Sequence, residues 1–152
     1  MNSLPASKFV YVTYIRTTPE RLWTALTTPE FTRQYWFGMH CESEWKAGSS
    51  WRLIFQDGRV ADMGEIVEAE RPKRLVIKWR NEFKPELKAE GYSRCTIDIE
   101  PIGEAVKLTI THEMERPGTE FIEAVSGGWP RILSNLKSLL ETGEVALKDR
   151  TT

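Results

Sequence analysis

The chain has 152 residues, with 21 basic and 22 acidic side chains, six tryptophans and two cysteines. A single domain of this length buries roughly 68–70% of its unfolded surface without staples. The near-neutral charge with no Lys/Arg cluster argues against a nucleic-acid footprint, and two cysteines are too few for a disulfide scaffold. The polar start has no apolar run of the kind a signal peptide carries, and no stretch is long enough to span a membrane, so the expectation is a cytoplasmic protein with reduced thiols.

After a tail expected over residues 1–7, "KFVYVTYIR" alternates, with Val10, Val12 and Tyr14 on one face and Phe9, Tyr11, Thr13 and Ile15 on the other. Apolar residues on both faces predict a strand that is covered on both sides or lies at a sheet end. The phrase Thr-Thr-Pro-Glu then occurs twice, starting at Thr17 and Thr27. Each copy reads as a helix start, because a Thr hydroxyl can accept from an orphan first-turn N–H and Pro tolerates the first helical position. Thr18 and Thr28 are the predicted caps of two short helices.

From residue 41 to 112 the apolar period changes to two. "SWRLIFQ" puts Trp51, Leu53 and Phe55 in phase, and Asp57-Gly58 is a hairpin signal. "ADMGEIVEAE" returns, with Gly64 predicting a bulge or a close backbone approach. "RLVIKW", "SRCTIDIE" and "AVKLTITHE" follow as strands, the last with His112 in phase with Leu108 and Ile110. Between two of them "RNEFKPELKAEGY" reads as a solvated loop of the length that lids have. Helical spacing then resumes through Ile122, Val125, Trp129, Ile132, Leu133, Leu136, Leu139 and Leu140. Because proline inside a helix costs ~3 kcal/mol, Pro130 predicts a kink or a main helix that begins near Gly127. Gly143 ends it, leaving a polar tail over residues 144–152. Strands run together with helices segregated from them are the α+β pattern, and the one long helix must cover a curved antiparallel sheet.

Four segments, "TTPERLWTALTTPEFTRQYW", "GSSWRLIFQDGRVADMGEIVEAERPKRLVIKW", "CTIDIEPIGEAVKLTITHE" and "GGWPRILSNLKSLLETG", in this order resemble the START-like (SRPBCC, birch-pollen-allergen-like) superfamily. Within it they resemble the group named after the activator of the heat-shock protein 90 ATPase, whose members are mostly small bacterial proteins. The resemblance implies one helix-grip domain over residues 8–143, about seven antiparallel strands wrapped around the C-terminal helix with a cavity between them. Pro130, directly after Trp129, departs from the family pattern.

The residues expected to face that cavity are Trp36, Trp51, Leu53, Phe55, Met63, Ile77, Trp79, Cys95, Ile97, His112, Val125, Trp129 and Leu133. The functional reading is an apolar ligand site with few polar groups; the bland one is an ordinary aromatic core. His112 is either the polar handle of the site, a general base there, or a satisfied core histidine. Alternation puts most of Asp62, Glu65, Lys78 and Arg80 on the solvated face, and a bulge at Gly64 would turn Asp62 or Glu65 inward. No spacing matches a metal site, His40 lying beside Cys41 far from His112, and no nucleotide or nucleophile motif is present. No cofactor is expected. The first functional reading is a protein that binds a lipid, polyketide-like or flavonoid-like molecule, as a monomer or homodimer. The alternatives are a module contacting a chaperone ATPase, which the family name implies, and a cofactor-free lyase or cyclase using His112 with a carboxylate.

Overall fold

Both Thr-Thr-Pro-Glu phrases start helices, and they do so differently. In α1 (Pro19–Thr27) the Thr18 hydroxyl accepts from Arg21 N at 3.2 Å. In α2 (Pro29–Tyr35) Thr28 makes no side-chain cap bond, and its carbonyl accepts instead from Phe31 N and Thr32 N. Thr28 is extended and serves as the end of one helix and the start of the next, which turns the chain within a single residue. Leu22, Trp23, Ala25, Leu26 and Tyr35 are thereby all buried.

The computed structural model describes residues 6–149. The remaining elements are β1 (Ser7–Ile15), β2 (His40–Ser43), β3 (Ser50–Ile54), β4 (Val60–Glu70), β5 (Arg74–Asn81), α3 (Pro85–Lys88), β6 (Ser93–Ile102), β7 (Ala105–Met114) and α4 (Glu120–Thr142). The strands form one seven-stranded sheet of order β1-β7-β6-β5-β4-β3-β2, every pair antiparallel. With α4 as the one long helix, this is the α+β helix-grip architecture that the resemblance implies. β1 is a sheet edge; its Val10, Val12 and Tyr14 share one face and stay exposed, while Ile15 on the other face is buried. Most of the expected N-terminal tail lies outside the described residues, and Ser7 already belongs to β1.

Register sets what meets inside. Trp51, Gly64, Trp79 and Ser93 form one cross-strand row, and Leu53, Asp62 and Asn81 form the next. A third row runs Ile66, Ile77, Cys95, His112 and Phe9. Gly64 is a close-approach glycine: a Cβ there would lie 1.7 Å from the Lys78 carbonyl oxygen. The register shifts fall elsewhere, between Leu53 and Ile54 and between Ile66 and Glu68. Trp51 and Trp79, which flank Gly64 in its row, bring their ring centroids within 4.4 Å of each other.

Of the two alternatives for the long helix, a start near Gly127 is the one overturned: α4 runs from Glu120 to Thr142 with Pro130 inside it. Its start is fixed from a distance: the Glu90 carboxylate, in the β5–β6 segment, accepts from Glu120 N at 2.9 Å and from Phe121 N at 2.8 Å. A carboxylate at that end satisfies orphan donors and opposes the positive pole of the helix dipole. Buried Phe121 and Ile122 hold the first turn down as well. Gly143, at φ +87°, ends the helix as predicted. The chain beyond folds back, with Asn135, fully buried, accepting from Leu147 N at 2.6 Å and donating to Leu147 O at 2.9 Å. The β5–β6 segment also departs from the solvated-loop expectation, since it contains α3 and buries Leu87. Cys41 and Cys95 are free and buried, and burial pushes both thiols well above their ordinary range. No helix among the described residues is long and apolar enough to cross a membrane.

Candidate functional site

The sheet and α4 do not meet evenly. At one end of their interface a cavity of about 320 Å³ remains. Its walls are the β3–β5 rows around Leu53, Asp62 and Trp79, the α4 stretch from Ala124 to Ile132, the Phe83–Leu87 segment, and Trp36 to Met39 after α2. Gly127 and Gly128 face it without a side chain, and a Cβ on either would meet nothing within 4 Å. Trp36, Trp79 and Trp129 close its inner end, their ring centroids 5.3 to 6.0 Å apart.

Around His112, behind those indoles, side chains fill the interior. Trp129 Nε1 donates to His112 Nδ1 at 3.1 Å, and His112 Nε2 lies 2.8 Å from Ser93 Oγ, which donates to Trp79 O at 2.9 Å. An indole N–H can only donate, so Nδ1 is the acceptor and Nε2 carries the proton. The imidazole therefore donates to Ser93. A histidine acting as general base toward a serine needs the reverse. With 0% of its surface exposed, His112 is held neutral by burial, its pKa lowered to about 3.

Of the residues expected at the site, Trp36, Leu53, Trp79, Val125 and Trp129 line the cavity. Trp51, Ile77, Ile97 and Leu133 border a small void on the far side of the three indoles. Cys95 and His112 are fully buried and off the cavity wall. Phe55 borders a neighbouring depression with Phe37 and Met39, its ring edge-on to Phe83 at 5.1 Å. Met63, half-buried, lies on the opposite face of the sheet, because Asp62 and Gly64 take the inward positions.

The polar groups on the wall are ones the sequence reading left unassigned or passed over. Asp62 is 6% exposed and accepts from Trp79 Nε1 through Oδ2. Its cross-strand partner Asn81 is 5% exposed and accepts from Lys84 N at 2.9 Å. The signal for Asp62 was its phase with Gly64 and Ile66; no bulge at Gly64 is needed to turn it inward. Lys84 and Arg131 are exposed where the cavity opens. Chemically, this wall offers broad indole faces, one carboxylate and one carboxamide. Among the described residues no His/Cys/Asp/Glu group has the arrangement of a metal site.

The family described as Activator of Hsp90 ATPase homolog 1-like protein matches residues 16–141. Protein MLL2253 from Mesorhizobium loti has the same fold, with TM-score 0.76, 23% identity, and coverage of 91% of this chain and 99% of that one. DynU16, from the dynemicin biosynthetic locus, superposes with TM-score 0.74 at 23% identity over 96% of this chain and 52% of its own. PFC0360w, an HSP90 activator from Plasmodium falciparum, gives TM-score 0.73 at 24% identity, covering 89% of this chain and 96% of that one. At these identities the likeness is one of fold. No curated protein matches the chain.

Proposed function

The chain belongs to the Activator of Hsp90 ATPase homolog 1-like family, and for this member we propose a role in binding an apolar or aromatic small molecule between the sheet and α4. The observation that carries the reading is the cavity itself. A fold able to fill its other end with side chains leaves about 320 Å³ open beside three tryptophans, within the range of small-molecule sites. Two nearly buried polar groups on an otherwise largely apolar wall would orient a ligand. The likeness to DynU16 supports a small-molecule role. Buried reduced thiols are in keeping with work in the cytoplasm. Contact with a chaperone ATPase is the second reading, supported by the fold shared with the Plasmodium HSP90 activator.

The test is a titration of tryptophan emission with flavonoids, fatty acids and sterols, paired with native mass spectrometry of freshly purified protein. Saturable quenching at micromolar affinity, about 8 kcal/mol, is expected from at least one aromatic class. Quenching that never saturates for any of them contradicts the reading.

A further inference from the structure

The cavity has a chemical polarity that its apolar lining does not by itself require. Its carboxylate sits among the ring residues: Asp62 is bonded to the Trp79 indole N–H, and the Trp79 ring is 6.0 Å from Trp36 and 5.8 Å from Trp129. Both kinds of group attract the same partner. An aromatic face carries negative potential that holds a cation, and tryptophan does so best. A carboxylate adds a charge-assisted bond to any N⁺–H. Withdrawn from solvent, the two together are worth more than at a surface, because the effective dielectric is lower. The basic residues of this wall, Lys84 and Arg131, are both exposed. The interior is thus acidic and aromatic, and the opening is basic.

We propose that the ligand is an organic ammonium compound, an apolar or aromatic body carrying a protonated amine, which enters nitrogen first and seats that nitrogen against the Asp62 carboxylate beside the Trp36 and Trp79 rings. This rests on the ligand-binding reading above and adds to it the class of the polar group and the direction of entry. A fatty acid or other anion entering head first would meet Asp62 and be repelled. An anionic group at the trailing end of the same molecule would face Lys84 and be favoured.

The test compares 4-phenylbutylamine with 4-phenylbutan-1-ol, which has nearly the same shape and no charge, by calorimetry on the full chain at pH 7. The amine is expected to bind at least about tenfold more tightly, the gain of a charge-assisted bond over a neutral one. In Asp62→Asn, whose amide oxygen can still accept from Trp79, the preference for the amine over the alcohol should vanish. Should that variant fail to fold, the unaltered protein supplies a second readout. The Trp79 indole N–H resonance should move further with the amine than with the alcohol, because its acceptor is the group the ammonium engages. Equal affinities in the unaltered protein, a preference that survives Asp62→Asn, or equal movement of the Trp79 resonance overturns the ammonium assignment alone. Binding of neither compound overturns the ammonium assignment, and the cavity reading falls with it only if the flavonoid, fatty-acid and sterol titrations also fail to saturate.

Discussion

Around His112 the interior is solid and every nitrogen of the ring has a partner; around Asp62, two rows further along the same sheet, it is open. The two ends share β4, β5 and α4, so the difference is not one of architecture. It comes from which side chains α4 turns inward. Trp129, Leu133 and Leu136 fill one end, and Gly127 and Gly128 leave the other vacant. A core this dense elsewhere shows that the fold can close on itself, which makes the open end a property of the sequence placed there.

The sharpest way to break the comparison is at its shared wall. Gly64→Ala would drive a methyl into the Lys78 carbonyl, and backbone cannot yield as a side-chain tip can. A loss of at least ~4 kcal/mol, or failure to fold, is expected, read from chemical denaturation. Next comes the solid end. Leu136→Ala, at a fully buried position, should cost about 2–5 kcal/mol, whereas Val125→Ala on the half-open wall should cost about 1 kcal/mol or less. Equal costs would mean the two ends are packed alike.

The pH dependence of stability sharpens the contrast further. Burial lowers the His112 pKa to about 3 in the folded chain, while the unfolded chain titrates near 6.5, so between these values the unfolded state binds the extra proton. Stability is therefore complete above about pH 6.5 and lost as pH falls, by about 1.5 kcal/mol between pH 6.5 and 5. The carboxylates of Glu42, Glu82 and Glu141, whose hydrogen bonds to His40, Arg80 and Lys137 lower their pKa values, lose their contribution only at more acidic pH. In His112→Gln the slope over that upper window should be gone. The smallest effect runs the other way. Gly128→Ala meets open space and should stabilise the helix by roughly 1 kcal/mol while weakening any ligand of the cavity.

Local chemistry was legible in the sequence. The two helix starts, the Thr18 cap, the strand alternation and Gly143 all follow from nearest-neighbour rules, and the family resemblance supplied the sheet around the helix. What could not be read was long-range. The start of α4 is held by Glu90, thirty residues away in the chain, so local rules left open whether one helix ran through Pro130 with a kink or began near Gly127. The phase that turns Asp62 inward was present, but an acid in a strand reads as solvated until Trp79 is seen to bond it. His112 was legible as inward-facing. Whether it faced a cavity or a core depended on Trp129 and Ser93, which approach from a helix and a neighbouring strand.

The central claim is that the open end is a ligand site, and the most direct measurement follows the six tryptophan indole N–H resonances of labelled protein through a titration with an aromatic ligand. Trp36, Trp79 and Trp129 line the cavity, whereas Trp23 and Trp45 do not. The account predicts saturable shifts of the first three with Trp23 and Trp45 unmoved. Saturable shifts confined to Trp23 or Trp45, or none at any indole for amines and neutral aromatics alike, would contradict it.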